Sequence, residues 1–473
     1  MGSENRRTFL KQSAVAAASI TLPVDHLWSL SASPVSRLRA WITAGEDRFR
    51  ETSVAPWQPA SATFGPIIEI DPALRFQSIL GFGGAFTDAS CYLLSRMDSA
   101  SRQELLNDLV GRDGLRMSVC RTCVGSSDYS LSAYSFDDTS EPDPDLAHFS
   151  IDHDKAYILP MLRAAQQSNP DLFLFSAPWS PPGWMKAGKS LLGGSMRNHY
   201  FGSYAQYFVK FLEGYRDEGV KISAVTSQNE VDTDQDGRMP AALWGQEYEI
   251  NFVKGFLGPA LQQASFDTKI WILDHNYNLS GRVIDELSDP GLFRYVDGVA
   301  WHGYYGDPSA MTRVHDAFPS KHTYWTEGGP DISDPNYATD WAKWAVTFAG
   351  ILKNWARCIV SWNLVLDENG RPNIGPFQCG GVVTLNSRSG AITQSGQYWA
   401  FAHFSKVVER GAYVLATRGT LPGIDHVAFQ NPDGGYVLVV GNQAEARRIH
   451  CRIGSNATTL DLPAKSVITL SWT

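Results

Sequence analysis

The stretch LFLFSAPWS at residues 172–180 is followed by YFGSYAQYFVKFLEGYRD at 200–217 and by ISAVTSQNE at 222–230. The outer two are short apolar runs that end on polar or aromatic residues. In the middle one, Tyr204, Tyr207, Phe208, Phe211 and Leu212 fall at helical spacing and form one apolar stripe, so the three together read strand, helix, strand. Working outward, the unit recurs. Strands are predicted over Ser78–Phe86, Leu115–Gly125, Leu172–Ser180, Ile222–Glu230, Lys269–Asn276, Val296–Tyr304, His322–Gly328 and Cys358–Leu364. Helices are predicted over Lys155–Gln167, Tyr200–Asp217, Trp244–Leu257 and Tyr337–Ala356, with one more near Gln397–Glu409. Eight strand-then-helix units predict an α/β fold, a (β/α)8 TIM barrel. An open doubly wound sheet is the alternative that the same alternation allows.

The pattern changes at both ends. After about Gly411, short runs (Val427–Phe429, Tyr436–Gly441, Arg448–Ile453, Ser466–Trp472) alternate with Gly, Asn, Asp and Pro, as in a β-sandwich. Arg37–Ile70 is also strand-like. We therefore expect both chain ends to build one β-sandwich side domain, from residues 34–73 and 406–473, around a catalytic barrel at 74–405. Residues 1–33 carry Arg6-Arg7 and Phe9-Leu10-Lys11 before a short apolar stretch, which resembles a twin-arginine-type export signal and points to a periplasmic or extracellular enzyme. Its apolar run of about ten residues falls short of the roughly 20 that a bilayer needs, and stable membrane insertion is not expected.

Lys plus Arg number 40 and Asp plus Glu 49, for a net charge of −9, which disfavours nucleic acid as a partner. The six cysteines are too few for a disulfide framework in 473 residues. Cys120 and Cys123 are closely spaced, but they sit inside an apolar strand and lack the second pair that a four-thiolate zinc site needs. The histidines are scattered. Neither a metal nor another cofactor is expected.

In such a barrel the chemistry collects at the C-terminal ends of the strands. There the sequence places Arg121 and Asp128, Trp179, Asn229 and Glu230, His275 and Asn276, His302 and Tyr304, Glu327, and Trp362 and Asn363. Glu230 and Glu327 end strongly apolar strands four and seven, on opposite sides of the mouth. Two carboxyl groups facing each other across a pocket are the equipment of glycoside hydrolysis. The structural alternatives are Trp179 and Trp362 as core fillers, Asp128 as a helix cap and Arg121 as a structural ion pair. His275 and His302 read as pocket lining or as structural histidines.

Six motifs occur in order: residues 81–88 (GFGGAFTD), 126–130 (SSDYS), 176–182 (SAPWSPP), 228–230 (QNE), 326–328 (TEG) and 361–364 (SWNL). With them, from about Leu74 to the C-terminus, the chain resembles glycoside hydrolase family 30, the family of glucosylceramidases, β-1,6-glucanases and related enzymes. The resemblance implies a retaining hydrolase with Glu327 as nucleophile and Glu230 as acid/base. A retaining pair stands about 5 to 5.5 Å apart, so an ionised Glu327 should raise the pKa of Glu230. It also implies that Arg121 and Tyr304 attend the nucleophile, that Asn229 holds the sugar 2-hydroxyl, and that Asp128, Trp179 and Trp362 hold outer hydroxyls, with His302 in the same substrate-binding set. The leading expectation is a glucosylceramidase-like enzyme on β-glucosides. An endo-β-1,6-glucanase or β-xylosidic enzyme is the alternative within the family, and a catalytically inactive carbohydrate-binding protein the one outside it. In each case a β-linked glycan or glycoside is the partner. Two departures stand out: His302-Gly303-Tyr304 where the family often has His-Trp-Tyr, and the Asp-rich insertion from Asp232 to Met239.

Overall fold

The computed structural model describes residues 38–60 and 65–473, so the predicted export signal at 1–33 lies outside the described residues. Eight parallel strands form the barrel: Gly81–Gly84, Val119–Cys123, Phe173–Ala177, Ala224–Thr226, Lys269–Asn276, Val296–His302, His322–Glu327 and Ala356–Ser361. Each falls within its predicted run or begins just before it. The ladder runs without interruption from the second strand round to the eighth and on to the first. The seam between first and second strands is narrower: Phe86 N–H donates to Arg121 O at 2.8 Å, and Ser118 N–H to Phe82 O at 2.8 Å. A Cβ on Gly83 would lie 1.7 Å from Val119 O, so the seam closes only because that residue is glycine.

Inside the barrel, Val119, Phe175, Ala224, Trp271, Ala300, Tyr324 and Val360 form one buried cluster. This apolar plug fills the lower part, and the polar inward residues are left for the upper rim. Outside, helices such as Phe201–Asp217 lay their apolar stripe against the sheet, with Tyr204, Phe208, Phe211 and Leu212 all buried.

The flanking strands build a second unit from both chain ends, as predicted. Ten strands share one hydrogen-bonded ladder, in which Arg39–Ala44 pairs with the C-terminal strand Ser466–Trp472. Ile42, Ile68, Ile449, Leu460 and Trp472, from widely separated places in that ladder, share one core, so it folds back on itself as a sandwich. One strand is longer than its apolar pattern suggests. Ile67–Ser78 runs on past Ile70 to pair with Tyr413–Arg418, although Leu74 and Phe76 are exposed there. No described helix is long and apolar enough to cross a membrane.

Candidate active site

At the C-terminal rim of the strands lies a pocket of about 330 Å³, within the range of small-ligand sites. Its walls include Asp128, Trp179, Asn229, Glu230, His275, Tyr304, Glu327 and Trp362, so most of the residues expected from the sequence line one cavity. Arg121 and His302 are fully buried beneath it and touch the carboxylates instead.

The floor is built round Arg121, which projects from the second strand. Its guanidinium donates to Glu327 Oε2 at 2.6 Å, to Asn229 Oδ1 at 2.8 Å and to Asp274 Oδ2 at 2.7 Å. It also lies 4.7 Å from the ring centre of Trp179 and 5.4 Å from that of Trp362, two indoles stacked at 5.0 Å. Asn229 thus accepts from Arg121 through its oxygen, which leaves its amide N–H groups to donate into the pocket that it lines. Tyr304 donates its hydroxyl to Glu327 Oε1 at 3.0 Å.

Asp274 is the residue that sequence reading missed. It is fully buried and accepts from Arg121, from His302 at 3.0 Å and from the hydroxyls of Thr226 at 2.9 Å and Thr326 at 2.7 Å. Burial alone would raise its pKa, but Arg121, His302 and Thr326 hold it well below the carboxylate range. Its only signal was a lone acidic residue inside an apolar strand. The fifth strand turns it inward through a bulge. Leu273 and Asp274 take positive φ values of 72° and 46°, and the pairing with the sixth strand slips between Ala300 and Trp301. The buried Glu249 carboxylate pins this bulge by accepting from Leu273 N–H at 3.0 Å and Ser227 Oγ at 2.5 Å. Glu230 itself sits at φ 49°, a strained conformation of the kind that clusters at functional sites.

Glu230 and Glu327 share one imidazole. His302 Nδ1 lies 3.3 Å from Glu230 Oε1, and its Nε2 lies 3.7 Å from Glu327 Oε2. Burial works against a charge on His302, but Glu327, Asp274 and Glu230 together raise its pKa to about 10, so the ring is cationic. Burial also raises both glutamates. At Glu230 the hydrogen bond and charge of His302, aided by His275 and Gln235, prevail and hold the carboxyl below its ordinary range. At Glu327 burial, aided by the charge of Glu230, prevails over His302 and Arg121 and raises it. This ordering is the reverse of the one expected from the sequence. The cause is a set of donors aimed at Glu230, of which Gln235 Nε2 at 2.7 Å comes from the insertion after the strand. The two carboxyls therefore titrate as a pair.

Near the mouth, Asp128 is buried and its pKa is raised by desolvation and by the charges of Glu327 and Glu230. A Cβ on Gly303 would lie 2.6 Å from Trp325 Cζ2, so the indole of Trp325 occupies the room that a larger residue there would need. Among the described residues, the donor atoms of Glu230, His275 and His302 lie within 4.8 Å of one another, close enough for one cation, and so do those of Asp137, Asp143 and His148. In the first set His302 already bonds Asp274 and Glu230, and that set fits a proton-transfer site as it stands.

Comparisons with known proteins agree with this geometry. The model of the glycosyl hydrolase family 30 TIM-barrel domain matches residues 79–408, and that of the family 30 beta sandwich domain matches residues 411–470. An endo-1,6-beta-D-glucanase of Neurospora crassa is 34% identical over 399 residues, covering 80% of this chain and 82% of that protein. The lysosomal acid glucosylceramidase of Mus musculus is 29% identical over 420 residues, covering 84% and 81%. A solved endo-beta1,6-glucanase superposes with a TM-score of 0.83 at 30% identity, over 93% of this chain and all of the other.

Proposed function

The chain belongs to glycosyl hydrolase family 30, and from that premise we propose that it is an endo-β-1,6-glucanase rather than the glucosylceramidase favoured by the sequence reading. What carries this is the joint likeness to β-1,6-glucanases, at 34% identity in sequence and at a TM-score of 0.83 in structure. The rim agrees: Gly303 and Trp325 replace a projecting aromatic wall, and the exposed Phe377 lines the mouth, where a second glucose ring would stack. We place the enzyme outside the cytoplasm, where polymeric glucan is met, on the strength of Arg6-Arg7 and the short apolar run after them.

The reaction is a double displacement. Glu327, held by Arg121 and Tyr304, attacks the anomeric carbon while Glu230 protonates the departing glycosidic oxygen. The two carboxyls are coupled, and an arriving glycosidic oxygen, being an acceptor, favours the protonated form of Glu230. When Glu327 becomes an ester its charge is lost. Glu230, now ionised, takes a proton from water as the water attacks the same carbon and releases Glu327. Asn229 and Asp128 bind the sugar hydroxyls over the Trp179–Trp362 floor.

Assays on β-1,6-glucan, xylan and glucosylceramide test the specificity. The expected outcome is preferential cleavage of β-1,6-glucan, with internal bonds cut early so that mid-length oligosaccharides precede glucose. Faster turnover of glucosylceramide or xylan overturns it. A 2-fluoro-glucoside should label Glu327, as read by peptide mass.

A further inference from the structure

The insertion after the fourth barrel strand is zipped onto the loop after the third. Leu192 bridges Pro240 and Ser195 bridges Leu243, and Leu243 N–H donates to Gly194 O at 2.9 Å. Gly193, at φ 63°, packs so closely that a Cβ would lie 2.8 Å from Gly237 Cα and 3.0 Å from Asp234 O. The buried Lys186 ties the two loops by donating to Leu191 O at 3.0 Å and Ala241 O at 2.8 Å. Within the insertion, Gln235 takes a positive φ of 53°, its N–H donates to Thr233 Oγ1 at 3.0 Å, and its carbonyl accepts from Arg238 N–H at 3.0 Å. A strained, doubly anchored residue thus points its amide into the pocket, 2.7 Å from Glu230 Oε2.

We propose that Gln235 is a positioning residue: its amide fixes the orientation of Glu230 and favours the ionised carboxylate, and so sets the alkaline limit of hydrolysis. This rests on the reading of Glu230 as the acid/base. A hydrogen bond given to a carboxylate stabilises its charged form. The alkaline limb of kcat/KM reports the loss of the last proton of the Glu230–Glu327 pair in the free enzyme, so removing a bond that stabilises ionised Glu230 moves that limb to higher pH.

The other groups facing Glu230 leave this effect separable. His302 from the sixth strand is cationic, and His275 from the fifth is pushed down by burial towards the neutral form. Asp274 stays ionised beneath them, and Glu327 and Asp128 lie across the pocket. Asp232, Asp234, Asp236 and Arg238 belong to the insertion itself and are kept in both variants.

The test is the pH dependence of kcat/KM on a β-1,6-linked gluco-oligosaccharide for Gln235→Leu and Gln235→Glu. In Gln235→Leu the alkaline limb is expected to rise by up to about one pH unit, the loss of one hydrogen bond to a charged group within the coupled pair. In Gln235→Glu, where a second carboxylate faces Glu230, it should rise further. If both limbs coincide with that of the unaltered enzyme, the proposal fails. The underlying reading is checked apart from this: Glu230→Ala should still hydrolyse dinitrophenyl β-glucoside and, with azide, should yield β-glucosyl azide. If it does neither, the assignment of Glu230 is wrong whatever Gln235 does.

Discussion

The barrel rim and the ten-stranded sandwich bury polar groups in opposite ways. At the rim, Arg121, Asp274 and His302 are charged and wholly enclosed, joined by bonds of 2.7 to 3.0 Å, with Asp274 held at a φ of 46°. Against the sandwich, the fully buried His403 of helix Gly396–Ser405 has a pKa pressed to about 3 by desolvation, and this neutral ring bridges Thr43 and Thr469 at 2.8 Å each. Its outward ion pair stays in water: Arg448 and Asp461 are 68% and 73% exposed. Buried ion pairs seldom add stability over apolar packing, since desolvation offsets their attraction. The rim network is therefore explained by what it does for Glu230 and Glu327, and the sandwich shows how the same chain buries polar groups when stability alone is at stake.

The strongest way to break this contrast is Arg121→Met. It leaves Glu327 and Asp274 buried without their shared cation and strips Glu327 of one of its two charge-stabilising donors. Turnover should fall by about 10²- to 10³-fold, as when a single transition-state donor is lost. Stability to denaturant should fall by about 3–5 kcal/mol, because removal of one partner strands the others. Undiminished turnover would mean that the network serves the fold alone.

The contrast also explains what could be read in the sequence. Glu230, Glu327, Trp179 and Trp362 each stand at the end of an apolar run, which is where a barrel strand meets the rim. Asp274 stands before the end of its run and reaches the centre through a left-handed bulge at Leu273 that alternation does not encode. Gln235 was visible as part of an insertion, but its direction depends on the zipper to residues 191–195. In the sandwich the strands were legible and their neighbours were not, since Ile67–Ser78 pairs with two strands more than 330 residues away.

A third buried group sharpens the comparison. Asp154 lies on the short helix Asp152–Ala156, outside the barrel strands, where its carboxylate accepts from Tyr134 at 3.0 Å and Tyr215 at 2.5 Å, with no Lys or Arg bonded to it among the described residues. Desolvation raises its pKa from 3.8 to about 7, despite those hydroxyls and the charge of His153. Between these values the unfolded chain has released a proton that the folded chain keeps, so stability is full below 3.8 and declines as pH rises through 7. Asp154→Asn removes that decline. Relative to the unaltered protein it should gain about 1.4 kcal/mol per pH unit within the window, read by urea denaturation at several pH values. A flat difference would show that Asp154 is ionised when buried, as Asp274 is.

His403 tests the sandwich side with the opposite sign. Its folded pKa of about 3 lies below the ordinary 6.5, so its stabilisation is full above 6.5 and is lost as pH falls towards 3. His403→Leu should cost about 1–3 kcal/mol at neutral pH through the hydroxyls of Thr43 and Thr469, each deprived of a buried partner. That deficit should shrink on acidification, whereas Asp154→Asn gains on moving the other way. In the unaltered protein the two slopes oppose each other over the range between 3.8 and 6.5, and only the paired variants expose them. The pH profile of turnover should not move in His403→Leu, since the ring touches neither glutamate. A shifted profile would mean that the sandwich and the rim are electrostatically coupled, and that the division between a region that buries charge and one that avoids it is drawn in the wrong place.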